Sequence, residues 1–171
     1  MKEILNYITS YSDFPNKGII FKDLLGLLQE PNIFRTLISN MASSQLIQDC
    51  DAIIAIEARG FIFGSAIALH SGKPMIVARK PNKLPGHLIE KEYQLEYGSN
   101  MLSIQKKSIE KFQKFNVVDD LLATGGTAKC VSDLLLSEGK EVIGYSFVIE
   151  LKTLEGRKSL RSPVQSQLII N

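Results

Sequence analysis

The sequence predicts an α/β fold in which helices flank a mostly parallel sheet. The run of consecutive apolar residues at 52–56 is typical of a strand that is covered on both faces, and the mostly apolar segments at 115–118 and 142–149 predict two further buried strands. Helices are predicted before and between these strands, at 33–42, 60–71 and 127–137. Alternation of strand and helix favours a parallel sheet. The 171 residues suit a single domain, 1–171, with a core large enough to bury most of its apolar surface.

The remaining segments follow from their own local signals. Residues 4–11 predict a short amphipathic helix, and a break containing Pro15 and Gly18 separates it from an extended segment at 19–21. Gly72 ends the helix at 60–71, and 74–78 is a second buried strand. We expect no regular element at 79–92, which is rich in proline, glycine and charge. Residues 93–104 predict one arm of a hairpin. Nearer the end of the chain we expect a helix at 151–160 and a strand at 167–170.

Composition and charge limit the possible partners and location. Twenty basic and eighteen acidic residues give a net charge of +2, so nothing indicates nucleic acid or an anionic membrane as a partner. No apolar stretch approaches the roughly 20 residues of a membrane span, and the first residues do not resemble a signal peptide. Cys50 and Cys130 stand alone and indicate buried thiols in a reducing compartment. We therefore expect a cytoplasmic protein.

Residues 117–128 contain the strongest functional pattern. A buried strand leads into Asp119 and Asp120, then into a glycine-containing turn from Ala123 to Thr127, and then into a helix. Free N–H groups at a helix N-terminus bind anions, and glycine lets the backbone approach a phosphate closely. Two carboxylates beside a phosphate need a ligand that donates hydrogen bonds, and a sugar diol does so. The pattern indicates a ribose phosphate, whereas a plain connecting turn is the less favoured interpretation and a Walker motif is absent.

Basic residues follow two other strands. Arg59 comes after the strand at 52–56 and is placed to bind an oxyanion, since its charge would otherwise oppose the dipole of the helix that follows. Arg79, Lys80 and Lys83 form a basic cluster that, taken alone, is more typical of a solvated loop. Residues 82–98 lie between glycine- and proline-rich ends and suggest a mobile lid that contains Glu96.

Five strings in this order resemble the type I phosphoribosyltransferases and, within them, the adenine phosphoribosyltransferases. The strings are FPNKGIIFKD (14–23), IEARGFIFG (56–64), ARKPNKLPG (78–86), YQLEYG (93–98) and VVDDLLATGGTA (117–128). The resemblance spans residue 5 to about residue 160. It implies the single-domain type I fold, with a small N-terminal hood at 1–30 over the active site and a catalytic lid at 82–98.

The resemblance also implies an activity. Members of this family transfer ribose 5-phosphate from 5-phospho-α-D-ribose 1-diphosphate to adenine in purine salvage, giving AMP and diphosphate, with Mg²⁺ as cofactor. Asp119 and Asp120 would hold the ribose hydroxyls. The backbone N–H groups of the turn, with the Thr124 and Thr127 hydroxyls, would hold the 5′-phosphate; the turn comprises Ala123, Thr124, Gly125, Gly126 and Thr127.

The diphosphate and the base would be bound by other segments. Arg59 would bind diphosphate, and the family pattern adds Arg79, Lys80 and Lys83, with Arg79 reaching the site of a neighbouring subunit in a homodimer. Mg²⁺ would be held by substrate phosphates and water rather than by protein ligands.

Adenine recognition would fall to the hood and the lid. The backbone groups of Ile20 and Lys22 would read the base, and Glu96 would assist proton movement at its ring. Related enzymes often have a non-proline cis peptide in the diphosphate loop, so we expect one at Glu57–Ala58.

Three asparagines depart from the family pattern. Asn82 stands where glycine is usual, Asn100 where aspartate is common, and Asn116 inside a strand that is normally apolar, where its amide needs a partner or a water. Three alternative functions stay open from the sequence: a phosphoribosyltransferase for hypoxanthine, guanine or xanthine, a non-catalytic sensor of phosphoribosyl diphosphate or a purine, and an inactive paralogue.

Overall fold

The computed structural model describes residues 2–95 and 98–171. In chain order its strands are β1 (Thr9–Ser12), β2 (Ile20–Asp23), β3 (Ala52–Ile56), β4 (Met75–Ala78), β5 (Leu88–Leu95), β6 (Gly98–Gln105), β7 (Lys114–Leu122), β8 (Glu141–Leu151) and β9 (Val164–Ile170). Its α-helices are α1 (Pro31–Ala42), α2 (Gln45–Gln48), α3 (Gly60–Ser71), α4 (Lys106–Ile109) and α5 (Gly126–Ser137). Short 3₁₀ turns occupy Lys2–Tyr7, Leu25–Gln29, Lys152–Leu154 and Gly156–Ser159.

The central sheet has five parallel strands in the order β4-β3-β7-β8-β9. All five residues of β3 are buried, because helices cover both faces of the sheet. The expectation of a mostly parallel sheet flanked by helices is confirmed. Parallel strands bring their carboxyl ends to one edge, where ligands of such sheets bind.

Two apolar clusters form the core, one on each face of the sheet. Alternate residues of β7 supply both: Phe115 and Val117 pack with α5, while Val118 packs with α1 and α3. Asn116 lies on the same side of the strand as Val118, fully buried. The structure gives its amide nitrogen and oxygen no hydrogen-bond partner.

The N-terminal segment differs from the prediction of a helix at 4–11. The 3₁₀ turn ends at Tyr7, and Thr9 to Ser12 pair antiparallel with β2, with Ser10 opposite Lys22 and Tyr11 opposite Phe21. The helical spacing of apolar residues is therefore overridden after residue 8 by strand pairing with a distant segment, to which threonine and tyrosine are suited.

Three other boundaries also differ from those predicted. β5 begins at Leu88, so residues 88–92 form a hairpin strand with β6 rather than an irregular segment. β7 continues to Leu122, which places Asp119 and Asp120 inside the strand and not after it. The predicted helix at 151–160 is instead two 3₁₀ turns separated by Glu155, whose φ of 52° interrupts the helix. Within the described ranges, no helix is long and apolar enough to cross a membrane.

Candidate active site

Asp119 and Asp120 lie side by side near the carboxyl end of β7. β3 and β8 flank this strand, and Asp119 is in register with Phe147 of β8. The Asp119 Oδ1 atom accepts a hydrogen bond from the Asp120 backbone N–H at 2.9 Å. A Cβ at Gly60 would lie 2.7 Å from that same oxygen, so the start of α3 can approach the carboxylate only because residue 60 is glycine.

The pKa values of both carboxyls are raised above the ordinary value for aspartate. Burial raises the pKa of Asp119 strongly, and the neighbouring Asp120 carboxylate adds to the rise. Burial also raises the pKa of Asp120, with the positive charge of Arg59 acting in the opposite direction. The two groups titrate as a pair, since each lies within the field of the other. Raised carboxyl pKa values in a cleft are typical of a functional site.

Arg59 joins this carboxylate pair to the N-terminal segment. Its Nε atom lies 2.9 Å from Asp120 Oδ2, and its Nη1 atom donates to the Lys22 carbonyl oxygen at 3.2 Å. Its guanidinium carbon lies 4.8 Å from the centre of the Phe21 ring, a cation–π contact. Asp120 Oδ2 is buried, and its charge is met by the Arg59 guanidinium. Arg59 therefore supplies the counter-charge of the more buried of the two carboxylates.

The predicted phosphate turn connects β7 to α5. Gly125 precedes the first residue of α5 with a φ of 82°, a left-handed conformation that favours glycine. The first N–H groups of this twelve-residue helix therefore open beside the carboxylates. From β5, Tyr93 makes a hydrogen bond with the Thr127 hydroxyl, which lowers the Tyr93 pKa while burial raises it more.

These groups line one cleft of about 460 Å³. The sequence-predicted residues on its wall are Arg59, Lys80, Asp119, Asp120, Ala123, Thr124, Gly125, Gly126 and Thr127. Asn100, which differs from the family pattern, lies on the wall as well. A shallower depression of about 550 Å³ lies at the opposite end of the sheet, beside Asp51 and Lys73. Both side chains there are engaged with backbone groups, Asp51 with two N–H groups and Lys73 with two carbonyls.

Glu57 organises the basic cluster after β4. Its carboxylate lies 3.2 Å from Arg79 Nε and 3.4 Å from Arg79 Nη2, and accepts the Lys80 backbone N–H at 2.9 Å. Arg79 Nη1 donates to the Lys83 carbonyl oxygen. Burial acts to raise the Glu57 pKa, but these hydrogen bonds outweigh it and leave the pKa below its ordinary value. The peptide between Glu57 and Ala58 is cis, as expected from the sequence.

The predicted base-binding residues lie beside the cleft, not on its wall. Lys22 approaches it through the contact of its carbonyl with Arg59, and Ile20 is 58% exposed on the same strand. Phe14 packs edge-on against Phe21 with ring centres 5.1 Å apart. Glu96 lies outside the described residues. Asn82 has a φ of 61°, in keeping with the expectation that asparagine tolerates this conformation.

Sequence reasoning missed three residues that the structure places at this site: Phe21, Glu57 and Tyr93. Phe21 was visible only as part of an extended apolar segment, and its contact with Arg59 spans 38 positions of the chain. Glu57 follows a buried strand directly, a position that signals a functional acid. Among residues 2–95 and 98–171, no group of three His, Cys, Asp or Glu side chains is arranged to hold a metal ion.

Comparison with known proteins gives a consistent result. The phosphoribosyl transferase domain family matches residues 27–166. An adenine phosphoribosyltransferase of Prochlorococcus marinus (strain MIT 9515) is 60% identical over 166 residues, 97% of each chain. The crystal structure of adenine phosphoribosyltransferase from Thermoanaerobacter pseudethanolicus superposes with a TM-score of 0.93 at 40% identity, covering 99% of each chain. The Saccharomyces cerevisiae enzyme, solved with an imino-altritol bisphosphate and adenine, gives 0.87 at 34% identity over 96% of each chain.

Proposed function

The chain belongs to the adenine phosphoribosyltransferases, and we propose that the cleft around Asp119 and Asp120 is where it transfers ribose 5-phosphate to adenine. The enzyme acts in purine salvage and forms AMP from phosphoribosyl diphosphate. One observation carries the assignment of the site: two adjacent carboxylates, Asp119 half-buried and Asp120 buried, line the same cleft as the turn that opens α5 with its free N–H groups. A phosphorylated sugar diol satisfies both halves of this arrangement.

The carboxylates bind the ribose ring. Its two hydroxyls donate to Asp119 and Asp120, while the 5′-phosphate accepts from the turn between Ala123 and Thr127. During transfer the bond from C1 to the diphosphate lengthens and the ring gains positive charge. Carboxylates fixed in a poorly solvated cleft stabilise that charge more than they stabilise the neutral ground state. No protein nucleophile is needed, since the base itself attacks C1.

The basic side chains bind the leaving diphosphate. Arg59 and Lys80 lie on the cleft wall and supply two cations. Arg79 and Lys83 lie next to them, and Arg79 is held by Glu57 of its own chain. In the homodimer that we propose, Arg79 reaches the cleft of the partner subunit.

Adenine is recognised by backbone groups of β2. Residues two apart on a strand present their backbone groups at the same edge, so Ile20 and Lys22 face the same ligand. A donor and an acceptor there match N1 and the 6-amino group of adenine. A 6-oxo purine presents the reverse pattern and leaves buried groups unpaired, a large penalty. The ring of Phe21 provides an apolar surface for the base, and Glu96 of the lid assists proton movement as N9 attacks.

The lid and the cofactor complete the proposal. Closure of residues 82–98 over the cleft keeps water away from the cationic ring. Mg²⁺ fits the residues present, because a hard cation needs few protein oxygens when substrate phosphates and hydroxyls supply the others. When bound, Mg²⁺ offsets the charge of the departing diphosphate. The free, buried thiols of Cys50 and Cys130 support a cytoplasmic, reducing environment.

The test is AMP formation from adenine, phosphoribosyl diphosphate and Mg²⁺, measured beside hypoxanthine, guanine and xanthine. We expect turnover with adenine alone, and its loss in the double variant Asp119→Ala, Asp120→Ala. Asp49→Ala is the matched control, since Asp49 is exposed at the end of α2, where its carboxylate accepts from the Gln45 side chain at 2.6 Å. Turnover on a 6-oxo purine would overturn the roles given to β2 and Glu96. Binding of phosphoribosyl diphosphate without turnover on any base would favour a sensor.

A further inference from the structure

A short 3₁₀ turn, Gly156–Ser159, lies directly behind the predicted phosphate turn, and we name it the backing turn. Its Ser159 hydroxyl shares its one hydrogen between the Thr124 carbonyl oxygen at 3.2 Å and the Gly156 carbonyl oxygen at 2.8 Å. We propose that Ser159 and Gly156 are positioning residues that fix the phosphate turn in its anion-binding conformation before the ligand arrives. This inference rests on the proposed function in one respect, that residues 123–127 hold a 5′-phosphate.

The hydrogen bond from Ser159 to the Thr124 carbonyl sets the direction of the Gly125 N–H group. In a trans peptide the C=O of one residue and the N–H of the next point in opposite directions. The Thr124 carbonyl points back to Ser159, so the Gly125 N–H points away from the backing turn and toward the cleft. Without this bond, rotation of the peptide plane costs little, because glycine permits many backbone conformations. Ser159 therefore orients the Gly125 N–H, which donates to the phosphate, without itself contacting the ligand.

Two glycines allow the turns to lie this close. A Cβ at Gly156 would overlap the Ala123 carbonyl oxygen, and a Cβ at Gly125 would lie 2.5 Å from the Gly156 carbonyl oxygen and overlap the Ser159 hydroxyl. The two turns can therefore lie this close only because residues 125 and 156 are both glycine. The contact is backbone against backbone, which makes the relative position of the two turns rigid.

An ion pair and hydrogen bonds attach the backing turn to the sheet. Arg157 Nε lies 2.6 Å from Glu150 Oε1 at the end of β8, and Arg157 Nη1 donates to the Val164 carbonyl oxygen of β9 at 2.7 Å. The Ser166 hydroxyl donates to the second oxygen of Glu150 at 2.8 Å. Glu150 is only 4% exposed, so its charge depends on these partners. The phosphate turn thus has a continuous support that reaches from β8 and β9.

The test compares ligands that differ by the 5′-phosphate. Binding of ribose 5-phosphate, AMP and adenosine is measured by calorimetry for the wild type, Ser159→Ala, Ser159→Thr and Ser108→Ala. Ser108 is the matched control, because its hydroxyl also donates to the carbonyl three residues earlier, Gln105, at 2.6 Å, and lies outside the cleft. Ser159→Ala should weaken binding of both phosphorylated ligands about threefold to tenfold, leave adenosine binding unchanged, and be rescued by Ser159→Thr.

Each outcome separates the two proposals. Equal affinity of Ser159→Ala and Ser108→Ala for ribose 5-phosphate would overturn the role of Ser159, even in an enzyme that forms AMP. Equal weakening of adenosine and AMP would also overturn it, since a general loss of structure affects both ligands. Failure of the wild type to form AMP would instead count against the proposed function. If Ser159→Ala unfolds, Ser159→Cys keeps the size of the side chain with a weak donor, and the same loss is expected.

Discussion

Arg59 and Asp120 form an ion pair on the wall of the cleft, with 2.9 Å between Nε and Oδ2. The same guanidinium contacts the Phe21 ring and the Lys22 carbonyl. One side chain therefore connects the carboxylate pair to the strand that we propose reads the base. The carboxylate is almost completely buried, so the pair matters more for the site than a surface ion pair would.

Replacement of Arg59 by alanine should lower kcat/KM for phosphoribosyl diphosphate at least about 100-fold, because the leaving diphosphate loses a cation and Asp120 loses its counter-charge. The Asp120 pKa should rise further, since Arg59 holds it down in the wild type. Steady-state kinetics with varied phosphoribosyl diphosphate test this. Arg35→Ala on the exposed surface of α1 is the control, and an Arg59→Ala enzyme with control-like kinetics would contradict the role.

Asp119→Asn should stabilise the ligand-free protein while it abolishes most activity. The folded-state pKa of Asp119 is raised, so this carboxyl favours folding less as pH rises through that pKa. The variant should exceed the wild type in free energy of unfolding by about 1 kcal/mol at pH 8, with the difference shrinking toward pH 5. Urea unfolding at both pH values measures it. A difference that does not change with pH would be inconsistent with a buried carboxyl of raised pKa.

Gly60→Ala should displace the Asp119 carboxylate. The added Cβ meets Asp119 Oδ1 at 2.7 Å and the Val118 carbonyl oxygen at 3.1 Å, so α3 or β7 must shift. We expect a loss of about 1–3 kcal/mol in unfolding free energy and a lower affinity for ribose 5-phosphate. Ser65→Ala, on the exposed side of the same helix, controls for helix propensity. Unchanged affinity in Gly60→Ala would mean that Asp119 tolerates displacement.

Asn116→Val should increase the free energy of unfolding by about 1 kcal/mol, because it removes a buried amide whose two polar atoms lack partners. The converse change, Val148→Thr, places a hydroxyl among buried apolar residues and should destabilise the protein. Both are measured by chemical unfolding. Loss of stability in Asn116→Val would show instead that the amide holds a buried water, which the sequence also allows.

The pattern at 117–128 predicted the carboxylates and the glycine turn because strand, turn and helix there are continuous in the chain. Local signals suffice for such a unit. The contact of Arg59 with Phe21 and the pairing of Glu57 with Arg79 join segments that are separated by 38 and 22 positions. No periodicity encodes which distant side chain a residue will meet, so these partners emerged only from the fold.

The misassigned segments have the same physical origin. Residues 9–12 form a strand because β2 pairs with them, and residues 152–159 form 3₁₀ turns where the backbone must lie against Ala123. In each case a tertiary contact overrides the local preference. The order of the central strands also depends on packing that sequence patterns leave open. The fold class was predictable because buried strands and amphipathic helices each have a strong local signature.

The two-stranded ribbon β1–β2 limits how base preference can be engineered. When the groups that read the base belong to the main chain, as we propose for residues 20 and 22, point substitutions there change side chains but leave the recognition pattern intact. Libraries built on those two codons should therefore yield mostly neutral variants. A change of preference would require a new path of the strand, through an insertion, a deletion or an altered register with Thr9–Ser12.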